Sequence, residues 1–127
     1  ARAAMEKSVA YAKERKQFKK PIAEFGAIQS KLARMATNIN AARLLIMNAA
    51  HLKDEHKPFS KEAAMAKVFA SRVSMEASTD CVQIFGGYGY MREYGVERLM
   101  RDAKITQIYE GTSEIQEMVI ARSLLHE

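Results

Sequence analysis

The feature that most constrains the fold is an apolar pattern that runs from Phe25 to Ala49 at alternating steps of three and four residues. Its members are Phe25, Ile28, Leu32, Met35, Ile39, Ala42, Ile46 and Ala49. This spacing places them on one face of an α-helix and is typical of helices packed nearly antiparallel in a left-handed bundle. It therefore predicts a long helix that ends near Asp54, before a polar turn at residues 56–58.

Two further apolar stripes predict a helix on either side of this one. The first stripe consists of Ala1, Met5, Val9 and Ala12. It leads into a basic run at residues 15–20, and Pro21 follows that run and is not expected to continue the helix. The other stripe consists of Ala66, Phe69, Ala70, Val73, Ala77, Cys81 and Ile84. Ser60 is its predicted N-cap, and Gly86 and Gly87 are predicted to end the helix.

The end of the chain adds one short helix and one longer helix. The short one is expected from about Gly95 to Asp102. Ser113 and Gln116 have the spacing of a capping box, which predicts that the last helix begins near Thr112 or Ser113. Only two prolines and six glycines interrupt the chain, and no segment alternates like a strand. We therefore predict an all-α fold: an antiparallel up-down-up-down four-helix bundle with a short extra helix before the last long helix.

Composition narrows the classes of function. At 127 residues the chain is expected to form one domain, residues 1–127. Its net charge is +5, and its lysines and arginines are mixed with glutamates along the chain. They do not gather in a basic stripe, which disfavours nucleic-acid binding. No apolar stretch has membrane-spanning length. The three histidines and the single Cys81 lack metal-ligand spacing, so no metal site is predicted. Since the chain opens in mid-helix at Ala1, we expect it to be a fragment of a longer protein.

Glu110 is the candidate catalytic residue. It lies in Ile108–Ser113, between Tyr109 and Gly111 and just ahead of a helix start. Such a turn is a common place for a functional side chain, and Gly111 would let a ligand approach the backbone. Shielding by Tyr109 and an apolar ligand would make the carboxylate a stronger base. Alternatively, Glu110 only complements the positive end of the following helix.

Two other segments have both a structural and a functional interpretation. The stretch Gln83–Tyr90 is rich in glycine, but a helix precedes it, so it does not match a dinucleotide-binding fingerprint. Its glycines either cap the helix or bring the backbone close to a flat or phosphorylated ligand. Arg15 either complements the negative end of the first helix or grips a pyrophosphate through its guanidinium.

Together these segments resemble the C-terminal helical domain of the acyl-CoA dehydrogenases over the whole chain. The resemblance rests on Arg15–Phe18 followed by Pro21 and Ile22, on Lys61–Lys67, on Gln83–Tyr90, and on Arg101–Ile105 leading into Ile108–Thr112. Two positions depart from the family pattern. Lys19 stands where the family often has glycine, and Gly26 stands where many members have a glutamine that contacts the flavin.

The resemblance implies a flavoenzyme that introduces an α,β double bond into acyl-CoA thioesters. It implies that Glu110 removes the α-proton while a hydride passes to FAD. It also implies that Tyr109 and Gly111 contact the substrate. The implied FAD contacts are Arg15, Phe18, Gln83, Ile84, Phe85, Gly86, Gly87, Thr112, Ser113 and Glu114. Arg15 and residues 83–87 would meet the FAD of a neighbouring subunit, as in a homotetramer built as a dimer of dimers.

The family also implies the physiological setting. Electrons would pass to an electron-transferring flavoprotein, within β-oxidation of fatty acids. The compartment would be the bacterial cytoplasm or the mitochondrial matrix, depending on the source. The alternatives are an acyl-CoA oxidase, which hands electrons to oxygen, and a helical interaction module without chemistry. The isolated fragment is expected to be inactive. Acyl chain length is not readable from these residues.

Overall fold

The computed structural model describes residues 1–126, which form six helices and one small hairpin. The helices are α1 (Arg2–Glu14), α2 (Gly26–Asp54), α3 (Ser60–Phe85), α4 (Gly87–Tyr90), α5 (Val96–Ile105) and α6 (Ser113–His126). The predicted all-α bundle is confirmed, with α1, α2, α3 and α6 as its four long helices and α5 as the short extra one. The four-residue α4 is additional to the prediction. None of the helices in residues 1–126 has the length and apolar character that a bilayer span requires.

Helix α3 is the centre of the fold, because α1, α2, α5 and α6 all pack against it. Its buried residues therefore lie on more than one face and are mostly small. They are Ala64, Ala66, Ser71, Val73, Ala77, Ser78, Cys81, Ile84 and Phe85. The buried serines satisfy their hydroxyls within the helix: Ser78 Oγ donates to the Ser74 carbonyl at 2.8 Å. The predicted stripe is confirmed at Ala66, Val73, Ala77, Cys81 and Ile84.

Helix α1 packs through a face that matches the prediction only in part: Ala12 is buried as predicted, and Met5 packs against the core at its edge. Its buried residues are Ala4, Ser8 and Ala12, whereas Ala1 is exposed and Met5 and Val9 are only half-buried. The small side chains let α1 approach α3 closely, and Ser8 can join this face because its hydroxyl donates to the Ala4 carbonyl at 2.7 Å. The prediction missed Ala4 and Ser8 because the larger apolar residues were assumed to mark the centre of the contact.

Helix α2 is confirmed in length, and its apolar stripe is only partly buried. Met35, Ala42 and Ala49 are buried at a spacing of seven residues, while Ile46 is half exposed at 49%. Leu44 and Met47 on the same helix are more exposed still. The outer side of α2 therefore exposes several apolar side chains among its polar ones.

Two predicted helix ends needed adjustment. Phe59, not Ser60, is the N-cap of α3, and no side chain caps it; the Phe59 carbonyl accepts the first helical hydrogen bond from the Ala63 N–H at 2.8 Å. Helix α5 begins after Gly95, which is left-handed at φ 64°, and continues past Asp102 to Ile105. The turn that contains Glu110 therefore begins after Ile105, three residues later than predicted.

An ion-pair cluster joins the first part of α2 to the last part of α3. Asp80 pairs with Lys31 and with Arg34, whose Nη2 lies 2.8 Å from Oδ2 of the carboxylate. Burial alone would raise the pKa of Asp80, but hydrogen bonds from the two cations outweigh burial and the pKa is lowered. The carboxylate is therefore ionised at neutral pH and ties the two longest helices together.

The basic run after α1 folds into a hairpin that the sequence did not predict. Lys16–Gln17 pairs antiparallel with Lys20–Pro21. The two loop residues Phe18 and Lys19 have φ of 52° and 67°. Two successive left-handed residues are the geometry of a type I′ hairpin turn, which normally selects Asn and Gly. A strand of two residues is too short to leave an alternating pattern.

We predict that Gly89→Ala destabilises the protein by about 1–3 kcal/mol, because a Cβ there overpacks a closed site. It would lie 2.8 Å from the Phe85 Cβ and 2.9 Å from the Val82 Cα, with the Val82 carbonyl closer still. Thermal unfolding provides the measurement. Gly26→Ala is the matched control, since nothing lies within 4 Å of its Cβ position. Equal melting temperatures for the two variants would contradict the prediction.

We also predict that Lys19→Gly raises the melting temperature, with a gain of up to about 1 kcal/mol. Glycine adopts φ of 67° without steric cost, and this relief outweighs its greater entropy in the unfolded chain. Lys16→Gly is the control, because Lys16 lies in an extended strand where glycine brings only the entropic cost. The prediction is wrong if both glycine variants unfold at lower temperature than the parent.

Candidate functional site

Glu110 lies in the turn between α5 and α6, in a strained backbone conformation. Its φ is 55°, and Gly111 follows with φ of 87°. A left-handed residue other than glycine costs about 1–3 kcal/mol and persists only where surrounding contacts impose it. Such outliers cluster at functional sites, so the strain singles out Glu110 among the carboxylates of the chain.

Three hydrogen bonds hold this turn. Lys67 Nζ of α3 donates to the Gly111 carbonyl at 2.7 Å, and Gln116 Nε2 donates to the Glu110 carbonyl at 3.1 Å. The Ser113 N–H donates to the Gln107 carbonyl at 3.0 Å. The backbone carbonyls of Glu110 and Gly111 are therefore both held by hydrogen bonds from side chains.

The predicted capping box of Ser113 and Gln116 is wrong, although the predicted start of the helix is correct. Helix α6 begins at Ser113, and Thr112 precedes it: its Oγ1 accepts a hydrogen bond from the Ile115 N–H at 3.4 Å. The Gln116 amide reaches back to the Glu110 carbonyl instead of the Ser113 N–H. The side chain that sequence spacing assigned to the helix end is used to close the turn.

An open groove of about 350 Å³ lies beside the turn. Its lining residues come from α3 and from the segment after α5, and they are Lys67, Ala70, Ser71, Ser74, Thr106, Tyr109 and Glu110. Tyr109 and Glu110 are both exposed in this groove. Residues 1–126 therefore place the carboxylate at the edge of an apolar wall without enclosing it. The expected shielding has to come from a ligand or from another polypeptide surface.

Thr112, Ser113 and Glu114 follow at the start of α6. Thr112 and Ser113 are half-buried, and Glu114 is exposed. The pKa of Glu114 is lowered, chiefly by a hydrogen bond from its own backbone N–H and then by one from the Thr112 hydroxyl. These three predicted cofactor contacts are thus brought next to Glu110, on the same side of α3.

The remaining predicted cofactor contacts gather at the other end of α3. Arg15 ends α1, and its guanidinium carbon lies 5.4 Å from the centre of the Tyr88 ring. Tyr88 stacks on Tyr94 with ring centroids 5.2 Å apart, and Tyr11 stacks on Phe85 at 4.0 Å. Burial raises the pKa of Tyr11, although Arg15 opposes the shift. Arg15 is therefore held half-buried against an aromatic cluster.

The glycine-rich segment next to this cluster is open to a ligand through its backbone. Gln83, Gly86 and Gly87 are exposed, and nothing lies within 4 Å of the Cβ positions of the two glycines. Gly86 ends α3 with φ of 61°. Ile84 and Phe85 are buried in the core, so any contact that they make with a cofactor has to involve their main chain.

Phe18 stands apart at the tip of the hairpin. It is 87% exposed, and its only ring contact within the described residues is an edge-to-face approach to Phe25 with centroids 6.1 Å apart. The Phe18 ring is therefore accessible from outside the described residues. Lys19 beside it occupies the left-handed position where the resemblance leads one to expect glycine.

The structure thus separates the predicted site residues into two groups. One group surrounds Glu110 near Lys67, and the other surrounds Arg15 near Gln83. The rise along α3 from Lys67 to Gln83 is about 24 Å. Residues this far apart do not meet the same part of one bound cofactor.

Sequence reasoning missed Lys67 and Tyr88 as site residues. Helical spacing does place Lys67 on one face with Ala70, Ser71 and Ser74, but only the tertiary structure brings Gly111 to that face. Within the described residues, no three His, Cys, Asp or Glu side chains come together as a metal site requires.

Comparisons with known proteins agree with the resemblance. The family model described as "Acyl-CoA dehydrogenase, C-terminal domain" matches residues 1–125. The Bacillus subtilis protein named "Probable acyl-CoA dehydrogenase YngJ" is 60% identical over 98% of this chain and 33% of its own length. The Acetobacterium woodii protein "Caffeyl-CoA reductase-Etf complex subunit CarC" is 53% identical over 98% of this chain and 33% of its own length.

A solved structure extends the likeness to three dimensions. Butyryl-CoA dehydrogenase from Megasphaera elsdenii superimposes with a TM-score of 0.96 at 56% identity, over 98% of this chain and 32% of that one. The chain spans about a third of the length of the curated relatives that it matches. The chain belongs to the acyl-CoA dehydrogenase family and corresponds to its C-terminal domain.

Proposed function

We propose that the protein containing this chain is an FAD-dependent acyl-CoA dehydrogenase in which Glu110 is the catalytic base. The observation that carries the proposal is Glu110 itself, held in a left-handed conformation at the rim of an apolar groove. A glutamate at a position that favours glycine points to a role for its side chain. Family membership supplies the class of substrate, an acyl-CoA thioester.

The chemistry asked of Glu110 is removal of a proton from the carbon next to the thioester carbonyl. As that proton moves to the carboxylate, a hydride leaves the β-carbon and the C=C bond forms between the two carbons. The Glu110 N–H is available to the thioester oxygen, because among residues 1–126 no backbone acceptor takes it. A donor aimed at that oxygen stabilises the negative charge that develops there.

The donor set fits FAD, which when bound supplies the acceptor for the hydride. Arg15 offers a guanidinium suited to a pyrophosphate, and Tyr88 holds its planar group in place. The exposed backbone at Gly86 and Gly87 admits a ligand with no side chain in the way. Thr112 and Ser113 offer hydroxyls next to Glu110.

We further propose that two subunits share each FAD within a homotetramer. The distance of about 24 Å along α3 between the two groups supports this, since each group would serve a different cofactor. Apolar side chains also remain exposed on the outer helices, among them Leu44 and Met47 on α2 and Met118 and Leu125 on α6. Exposed apolar surface of this extent is typical of interfaces.

The direction of the reaction has a second candidate. One relative is named as a subunit of a caffeyl-CoA reductase-Etf complex, which favours reduction of an unsaturated thioester as an alternative. Glu110 would then donate the proton to the α-carbon, because both directions share one transition state. The same name supports an electron-transferring flavoprotein as the redox partner. Rapid oxidation of the reduced flavin by oxygen would instead indicate an acyl-CoA oxidase.

We predict that Glu110→Gln in the full-length protein slows anaerobic bleaching of the flavin by acyl-CoA about 10²- to 10⁴-fold. The amide keeps the size of the side chain but cannot accept the proton. Stopped-flow absorbance of the flavin provides the measurement. Glu117→Gln is the control, since Glu117 is exposed on α6. Bleaching at the parental rate would remove Glu110 from the reaction.

We also predict that Arg15→Ala weakens FAD binding about 10- to 100-fold, because a charge-assisted contact to phosphate is lost. Flavin content after gel filtration and titration of the apoprotein with FAD provide the measurement. Lys13→Ala is the control, because Lys13 is exposed on the same helix and carries the same charge. Equal FAD affinity in both variants would exclude Arg15 from the cofactor site.

A further inference from the structure

Lys67 reaches the catalytic turn from a different element of the fold. It lies near the start of α3, and its Nζ donates to the Gly111 carbonyl at 2.7 Å. Forty-four residues separate the two in sequence. The bond therefore fixes the turn relative to the central helix, whereas the bonds made by Gln116 and Gln107 only hold the turn to itself and to α6.

The lysine fixes the turn without neutralising the base. Lys67 and Glu110 line the same groove, yet no ion pair joins them within the described residues. The ammonium instead satisfies a neutral backbone carbonyl. A direct ion pair would stabilise the ionised carboxylate and occupy its oxygens, and both effects would weaken it as a base. The observed arrangement leaves the carboxylate available for a proton.

The backbone conformation makes such a tether necessary. Glu110 and Gly111 are both left-handed, and without outside contacts the strained residue would relax towards a more common conformation. Relaxation would swing the Glu110 side chain away from the groove. The Gly111 carbonyl is the first group past the strained pair, so a bond to it restrains both residues.

We propose that Lys67 is a positioning residue for catalysis, which holds Glu110 in its reactive orientation through the Gly111 carbonyl. The inference rests on the proposed role of Glu110 as the base. A base displaced by about 1 Å can lose about 10²-fold in rate, so a side chain that sets its position controls kcat rather than substrate affinity.

The test compares three variants of the full-length holoenzyme with acyl-CoA as substrate. Lys67→Met keeps the length of the side chain and removes its donor. We expect kcat and the rate of anaerobic flavin reduction to fall about 10- to 100-fold, with KM changed less than threefold and FAD content unchanged. Lys67→Arg restores a donor and is expected to recover most of the rate. Lys53→Met is the control for the loss of one charge from an exposed position.

Two results would overturn the inference. One is a Lys67→Met enzyme whose kcat stays within twofold of the parent while Glu110→Gln abolishes activity, which leaves the role of Glu110 intact. The other is a Lys67→Met protein in which FAD content and melting temperature fall together with kcat. That result would show that Lys67 stabilises the fold and does not position the base. A Glu110→Gln enzyme that works at the parental rate would instead refute the proposed function of Glu110 itself.

Discussion

Close packing around α3 is the physical constraint on which the rest of this structure depends. Alanine, serine and cysteine dominate its buried faces, so four other helices reach its surface. Burying serine hydroxyls is possible because each donates to a carbonyl of its own helix. The helix then separates two segments for which we propose a function: Lys67 lies beside the turn that holds the proposed base, and Gln83–Gly87 lies beside Arg15.

Left-handed residues other than glycine occur at three places within the described residues. One is His56 in the turn after α2, and the other two places lie in segments for which we propose ligand binding. Glu110 is left-handed in the turn before α6, and Phe18 and Lys19 are left-handed at the hairpin tip. Each strained residue is a position where glycine would fold more easily. At Glu110 the side chain is the proposed base, and the bonds from Lys67 and Gln116 to the Gly111 and Glu110 carbonyls stabilise the conformation. At Lys19 no contact explains the choice of lysine.

Much of the fold was predictable because its signals are local. The period of apolar residues in α2 and α3, the few glycines and prolines, and Gly86 at the end of α3 all act within one element. Errors arose where the deciding contact came from elsewhere. The buried face of α1 is set by how closely α3 approaches, and the Gln116 amide is drawn to the Glu110 carbonyl rather than to the helix end.

The sequence by itself determined the helical class, the family and the identity of the candidate base. Periodicity and motif order can be read along the chain without knowing which elements pack together. Only the tertiary structure decided which residues share a site. It brought Lys67 to Gly111 across forty-four residues and Arg15 to Tyr88, and it separated these two places along α3. The physical reason is that hydrogen-bond and ring partners are fixed by distance in space, which sequence spacing specifies only within a single helix.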